Sequence, residues 1–240
     1  MVNLAHIFCC DIPENMTGMT ADELTADELT LDKNSVAGKK NEHSFLEGGR
    51  MGKYDKREAV MRAAMELVGE YGFHGSPMAA IAGRAGVAAG TIYRYFDSKD
   101  VLIRETHRCL EGQILAVLMT GYPESEPVRE RFLHIWQRLV CYFISSPLEF
   151  RFIEQFYNSP FGVACRRDKI LGKKEKDPIT GLFEEGQEQQ LIKDLPMPAL
   201  CALTYGPLVN ICRDHILQFI ELDGALVTRT AEACWDAVRR

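Results

Sequence analysis

Residues 76–100 read SPMAAIAGRAGVAAGTIYRYFDSKD, a run of small apolar bursts interrupted by glycines at 83, 86 and 90. Each interior glycine costs a helix about 1 kcal/mol, so one long helix is disfavoured here. No period-two alternation supports a strand either. Short helices joined by tight turns are what remains. Ser76-Pro77 supplies an N-cap and a proline at the first helical position. The helix it opens spans 77–85, buries Ile81 and Ala82, and stops at Gly86. A further helix over 88–96 buries Ala88 and Ile92, and Asp97-Ser98 starts a longer one through Leu102, Thr106, Leu110, Ile114 and Val117. Upstream, from Tyr54, an apolar stripe of Val60, Ala64, Leu67, Val68 and Tyr71 ends at Gly72. Together these predict a helix-turn-helix unit with its motif at about 77–96.

The rest of the chain also carries helical periods, and the fold class expected is all-α. A helix from Val128 to about Ser145 bears Phe132, Trp136, Leu139 and Phe143; another opens at Pro147 and breaks at NSPFG. The basic run RRDKILGKKEK reads as a solvated connector before a helix starting at Pro178. A long apolar helix follows from Ala199 to about Ile220, and the last spans 224–240. The expected division is a leader over 1–50, a helix-turn-helix domain over 51–110 and a larger helical domain over 111–240. The leader, with its tandem TADEL and polar runs, has no sustained apolar period and is expected to be disordered. The residues before Met51, LEGGR, are what a translated ribosome-binding site resembles. They suggest Met51 as the natural start and residues 1–50 as a start-site artefact or dispensable arm; a true regulatory arm is the competing reading.

Charge separates these segments. The chain carries net −6, divided as −5 over 1–50, +2 over 51–110 and −3 over 111–240. Only the segment holding the glycine-punctuated stretch is positive, as a polyanion-facing end would be. No run reaches the ~18 apolar residues of a membrane span, and MVNLAHIFCCD lacks the basic start of a signal peptide. The eight cysteines form no CxxC and no zinc-like spacing with histidine. They read as reduced thiols of a cytoplasmic protein, with no metal or cofactor expected. His74 and His107 stand alone in the sequence and read as surface or capping residues.

In a helix-turn-helix the second helix enters the major groove with its N-terminal residues toward base edges. Ala88, Ala89 and Gly90 would let backbone approach closely, and Thr91 offers a hydroxyl and a methyl. Tyr93 and Tyr95 lie about 200° apart around a helix and would flank the groove. Lys99 at the next helix start, and Ser76 at the preceding one, suit phosphates. Ile92 and Phe96 already occupy the buried face, so the tyrosines are free for contact.

The stretch AAMELVGEYGF…SPMAAIAGRAGVAAGTIYRYFDSKDVL resembles the DNA-binding domain of TetR-type transcriptional regulators. The matching points are Gly72-Phe73, Ser76, Ile81-Ala82, Ala85-Gly86-Val87, Gly90-Thr91, Tyr93, Tyr95-Phe96 and Lys99-Asp100, covering about Lys53 to Leu110. The resemblance implies that Thr91, Tyr93, Tyr95 and Lys99 contact double-stranded DNA, with Ala89 and Gly90 at the base-reading end and Arg94 as a further contact. Pro77 and Met78 depart from the family pattern and put contacts from that helix start in doubt beyond Ser76.

The resemblance further implies a helical body with an internal effector pocket and a homodimer made by the last two helices. Phe132, His134, Trp136, Cys141, Phe152, Phe156, Phe183 and Tyr205 are the candidates for the small-molecule pocket, although each aromatic also fits plain core. The apolar excess of Leu200, Leu203, Leu208, Ile211, Ile216 and Phe219, joined by Trp235 and Val238, marks the expected dimer face. The function expected is a sequence-specific regulator binding an inverted repeat, a repressor released by its effector. Two rivals remain. A helical enzyme would need a nucleophile elbow, phosphate loop or metal spacing, which the sequence does not offer; an adaptor without DNA binding leaves the 76–99 constellation unexplained.

Overall fold

The computed structural model describes residues 53–170 and 178–240. The leader reading of residues 1–50 and the start at Met51 fall outside them. Among the described residues the chain forms ten helices: α1 (Lys53–Tyr71), α2 (Met78–Arg84), α3 (Ala89–Ile92), α4 (Lys99–Met119), α5 (Val128–Ser145), α6 (Pro147–Tyr157), α7 (Pro160–Ile170), α8 (Pro178–Glu188), α9 (Met197–Ile216) and α10 (Gly224–Val238). The one departure from helix and turn among them is an isolated antiparallel bridge, Ile192 to Arg239. It ends α10 two residues before the expected limit and pins the C-terminal residues to the α8–α9 turn, where Lys193 N–H donates to the Val238 carbonyl at 2.8 Å.

Two apolar cores organise these helices. The head core joins α1, α2, α3 and the start of α4 through Val60, Ala64, Leu67, Ile81, Ile92, Phe96 and Leu102. The body core surrounds α5, which touches α4, α6, α8, α9 and α10, and is built on Phe132, Trp136, Phe143, Phe150, Phe152, Phe156 and Phe183. Gly72 ends α1 at φ 68° and Gly86 turns the chain out of α2 at φ 67°, a left-handed conformation that costs a Cβ-bearing residue. Ser98 caps α4 by accepting from Val101 N–H at 3.2 Å, and Asp223 caps α10 by accepting from Leu226 N–H at 2.7 Å.

Several expectations need correction. Tyr71 ends the α1 stripe but stands 61% exposed, because the stripe turns past the core before the helix stops. The break expected at NSPFG is present, since α6 ends at Tyr157, but it is short: Ser159 Oγ accepts from Gly162 N–H at 3.4 Å and Pro160 opens α7, a further helix that absorbs the first half of the connector expected to be a solvated loop. In α9, Pro207 removes the N–H that would reach the Leu203 carbonyl. That helix begins at Met197 and stops near Gln218, whose φ is 63°.

Candidate nucleic-acid interface

The head displays its small residues outward. Ala88, Ala89 and Gly90 are all exposed at the start of α3, so Ala88 is not the buried residue its apolar character suggested. A Cβ added at Gly90 would meet nothing within 4 Å. Ile92 and Phe96 are buried beneath, as the period required. α3 itself is a single turn, Ala89–Ile92, continued by tighter bonds from Arg94 N–H to the Thr91 carbonyl and from Tyr95 N–H to the Ile92 carbonyl. Tyr93 is 55% exposed and Arg94 is exposed, while Thr91 is half-buried. Tyr95 is also half-buried and packs on the head core, so only part of its ring faces outward.

Two expected contacts are turned inward. Ser76 is fully buried; its hydroxyl donates to the Gly72 carbonyl at 2.7 Å instead of capping α2. Pro77 occupies the N-cap of α2, with no side-chain cap bond. The left-handed turn at Gly72 leaves a carbonyl for the serine to satisfy, and the hydroxyl goes there. Lys99 Nζ donates to the Phe73 carbonyl, and partial burial lowers its pKa. This lysine joins the start of α4 to the α1–α2 turn. Arg84 lies against Glu66 at 3.0 Å and Glu70 at 3.4 Å, fastening α2 to α1.

In the body, Phe132, Trp136, Phe183 and Tyr205 line one cavity of about 30 Å³ with Thr204 and Leu208. That is room for about one water. Trp136 Nε1–H donates to the Thr204 carbonyl at 3.4 Å, and burial pushes the Tyr205 hydroxyl up. The other four candidates lie elsewhere. Phe152 and Phe156 stack on each other in the core at 6.3 Å. His134 Nε2 lies 3.0 Å from the Leu118 carbonyl with Tyr122 edge-on, and burial lowers its pKa. Cys141 is half-buried on the same helix as His134, and burial raises its thiol pKa. One aromatic cluster read from sequence is therefore several separate packing sites.

The expected dimer face also divides. Leu200, Leu208, Trp235 and Val238 are buried in their own protomer's core, and Ile216 packs against it. Leu203 and Ile211 instead line an open groove of about 350 Å³ between α9 and α10, with Pro207, Thr230, Ala233 and Ala237. Phe219, in the turn after α9, is 79% exposed. The groove's alanines were missed because a search for bulk passes over them.

A helix-turn-helix head with an exposed, small-residue end on α3, carried on a helical body, defines a DNA-binding protein of the regulator class. Residues 60–106 match the family described as bacterial regulatory proteins, tetR family, and residues 127–239 match the tetracyclin repressor-like C-terminal domain. A solved TetR family protein from Vibrio parahaemolyticus is similar at 30% identity and TM-score 0.61, covering 77% of this chain and 99% of that one. A TetR-family transcriptional regulator from Haemophilus influenzae is similar at 25% identity and TM-score 0.65, over 80% and 100%. A TetR family regulator from Marinobacter aquaeolei shares the fold at TM-score 0.68 and 22% identity, over 78% and 96%. The chain belongs to the TetR family of DNA-binding transcriptional regulators. Among the described residues, no helix is long and apolar enough to cross a membrane.

Proposed function

We propose that the chain is a repressor that binds an inverted-repeat operator as a homodimer and is released by a small-molecule effector. The observation that carries the reading is the exposed Ala89-Gly90 end of α3 followed by exposed Tyr93 and Arg94. Absence of bulk lets the backbone approach base edges, and the two larger side chains then reach phosphates or bases on either side. Thr91 joins them, and Tyr95 contributes through its outward edge. Lys99 reaches a phosphate only by leaving the Phe73 carbonyl, so its first role is to hold the turn. Residues 51–110 act as the DNA-binding unit and 111–240 as the effector and dimer unit.

One head covers only a few base pairs, and two heads related by a two-fold axis read two half-sites. The α9–α10 groove, open and apolar at Leu203, Pro207 and Ile211, suits the partner's same helices. The effector enters between α5, α8 and α9 by displacing side chains around the small cavity, since drug-sized ligands need ~300 Å³ or more. Selection from random duplex DNA with the full chain tests the reading. The enriched sequences should be inverted repeats with half-site centres about 34 Å apart or a multiple of that. Enrichment of single, non-palindromic sites would overturn the dimeric reading.

A further inference from the structure

His107 sits alone in the sequence, yet it is buried in the fold, which corrects its reading as a surface residue. It faces two further donors. Glu111 follows one turn later on α4, and Cys165 arrives from α7. Their candidate donor atoms all lie within 4.8 Å of one another, and His107 Nδ1 is 3.6 Å from a Glu111 carboxylate oxygen. Ligands at ~2.0–2.3 Å from a tetrahedral metal stand about 3.3–3.8 Å from each other. Small side-chain shifts would therefore close the set around an ion.

The surroundings support the same use. The His107 ring is stacked on Phe156 at 3.7 Å and 13°, with Tyr157 edge-on at 5.5 Å. A ring held in plane by its neighbours is already oriented, which reduces the ordering a ligand must undergo. Glu111 and Cys165 are half-buried, so an ion can enter from solvent. A helical His–Glu pair alone needs no third partner; the thiol from another helix makes the set a ligand constellation.

We propose that His107, Glu111 and Cys165 bind a divalent transition-metal ion of the zinc and cobalt class. One imidazole nitrogen, one carboxylate oxygen and one thiolate form a borderline-soft set that favours such ions over magnesium or calcium. Three protein ligands leave at least one position for water, as in sites where an ion or ligand exchanges. Cys165 binds as thiolate, and its proton passes to solvent as the metal arrives. The site joins α4 to α7 and does not depend on the repressor reading.

The full-length chain, stripped with a chelator and kept reduced with a phosphine, is titrated with Co²⁺. One equivalent should produce the near-ultraviolet thiolate-to-cobalt band and the visible absorption of a tetrahedral site, and Zn²⁺ should abolish both. Cys165→Ala should lose the thiolate band while Cys141→Ala keeps it, and Glu111→Gln should weaken binding about tenfold or more. In the parent, Zn²⁺ should also slow alkylation of Cys165, followed by peptide mass, about tenfold. Absence of the band at one equivalent, its survival in Cys165→Ala, or unchanged Cys165 alkylation would each overturn the site.

Discussion

The head and the body bury apolar surface differently. The head core is thin: Val60, Ala63, Ala64, Leu67, Ile81, Ala82 and Ile92 are aliphatic, and Phe96 supplies the aromatic bulk. Its outward side is left almost bare at Ala88, Ala89 and Gly90. The body is thick with rings, and the cavity between α5, α8 and α9 holds only about 30 Å³. A thin core exposes every residue it does not bury, so a head residue's role follows from its helical phase. On the body helix α9, apolar residues run nearly all round, and phase alone does not separate core, pocket and interface there.

The difference between core and open surface is sharpest on α9. Leu208 is 1% exposed and Leu203 is 40% exposed, five residues apart on one apolar helix. Leu208→Asp should abolish the cooperative fold, because an unpaired buried charge costs on the order of 4–5 kcal/mol or more. Leu203→Asp should leave the thermal melt intact and shift sedimentation from dimer to monomer. Equal melting losses for both would erase the distinction between core and groove.

The head offers a smaller effect with opposite signs. Because a Cβ at Gly90 meets nothing within 4 Å, Gly90→Leu should raise stability by up to about 1 kcal/mol through helix propensity. Operator affinity, followed by fluorescence anisotropy, should fall about 10- to 100-fold as the leucine blocks close approach. A leucine variant that binds as well as the parent would remove α3 from the reading end.

Smallest is a pH effect in the body. Burial lowers the pKa of His134 below its ordinary 6.5. Below about pH 6.5 the unfolded chain therefore holds the extra proton, and stability declines as pH falls. His134→Gln, which keeps a donor toward the Leu118 carbonyl, should show a shallower loss of melting temperature between about pH 7 and pH 5. An identical slope in parent and variant would leave the acid response to other groups.

What could be read ahead follows from the same contrast. Val128, Pro147 and Pro178 opened helices where expected because proline and polar loops mark such starts locally. The Ser-Pro signal was assigned to 76–77, yet the serine that caps is Ser159. Both pairs look alike; the difference is the Gly72 carbonyl four residues earlier, left open by a left-handed turn that the Ser-Pro pair itself does not encode. Tyr93 was legible because Ile92 and Phe96 fix its outward phase. Leu200, Leu208, Trp235 and Val238 were misplaced because α9 and α10 meet both their own core and an open groove. Cys165 could not be joined to His107, since the residues of α7 had been read as the NSPFG break and the start of a solvated connector.

Leu67 lies in the head core and its neighbour Val68 in the body core; Leu102 and Ile103 divide in the same way on α4. The two halves therefore meet inside continuous helices, with no joint between them. α4, at 21 residues, is about 31 Å long, and a tilt of ~10° about its far end would carry its Lys99 end by about 5 Å. Any shift of α5 against α4 that tilted this rod would therefore be magnified along it before it reached the head.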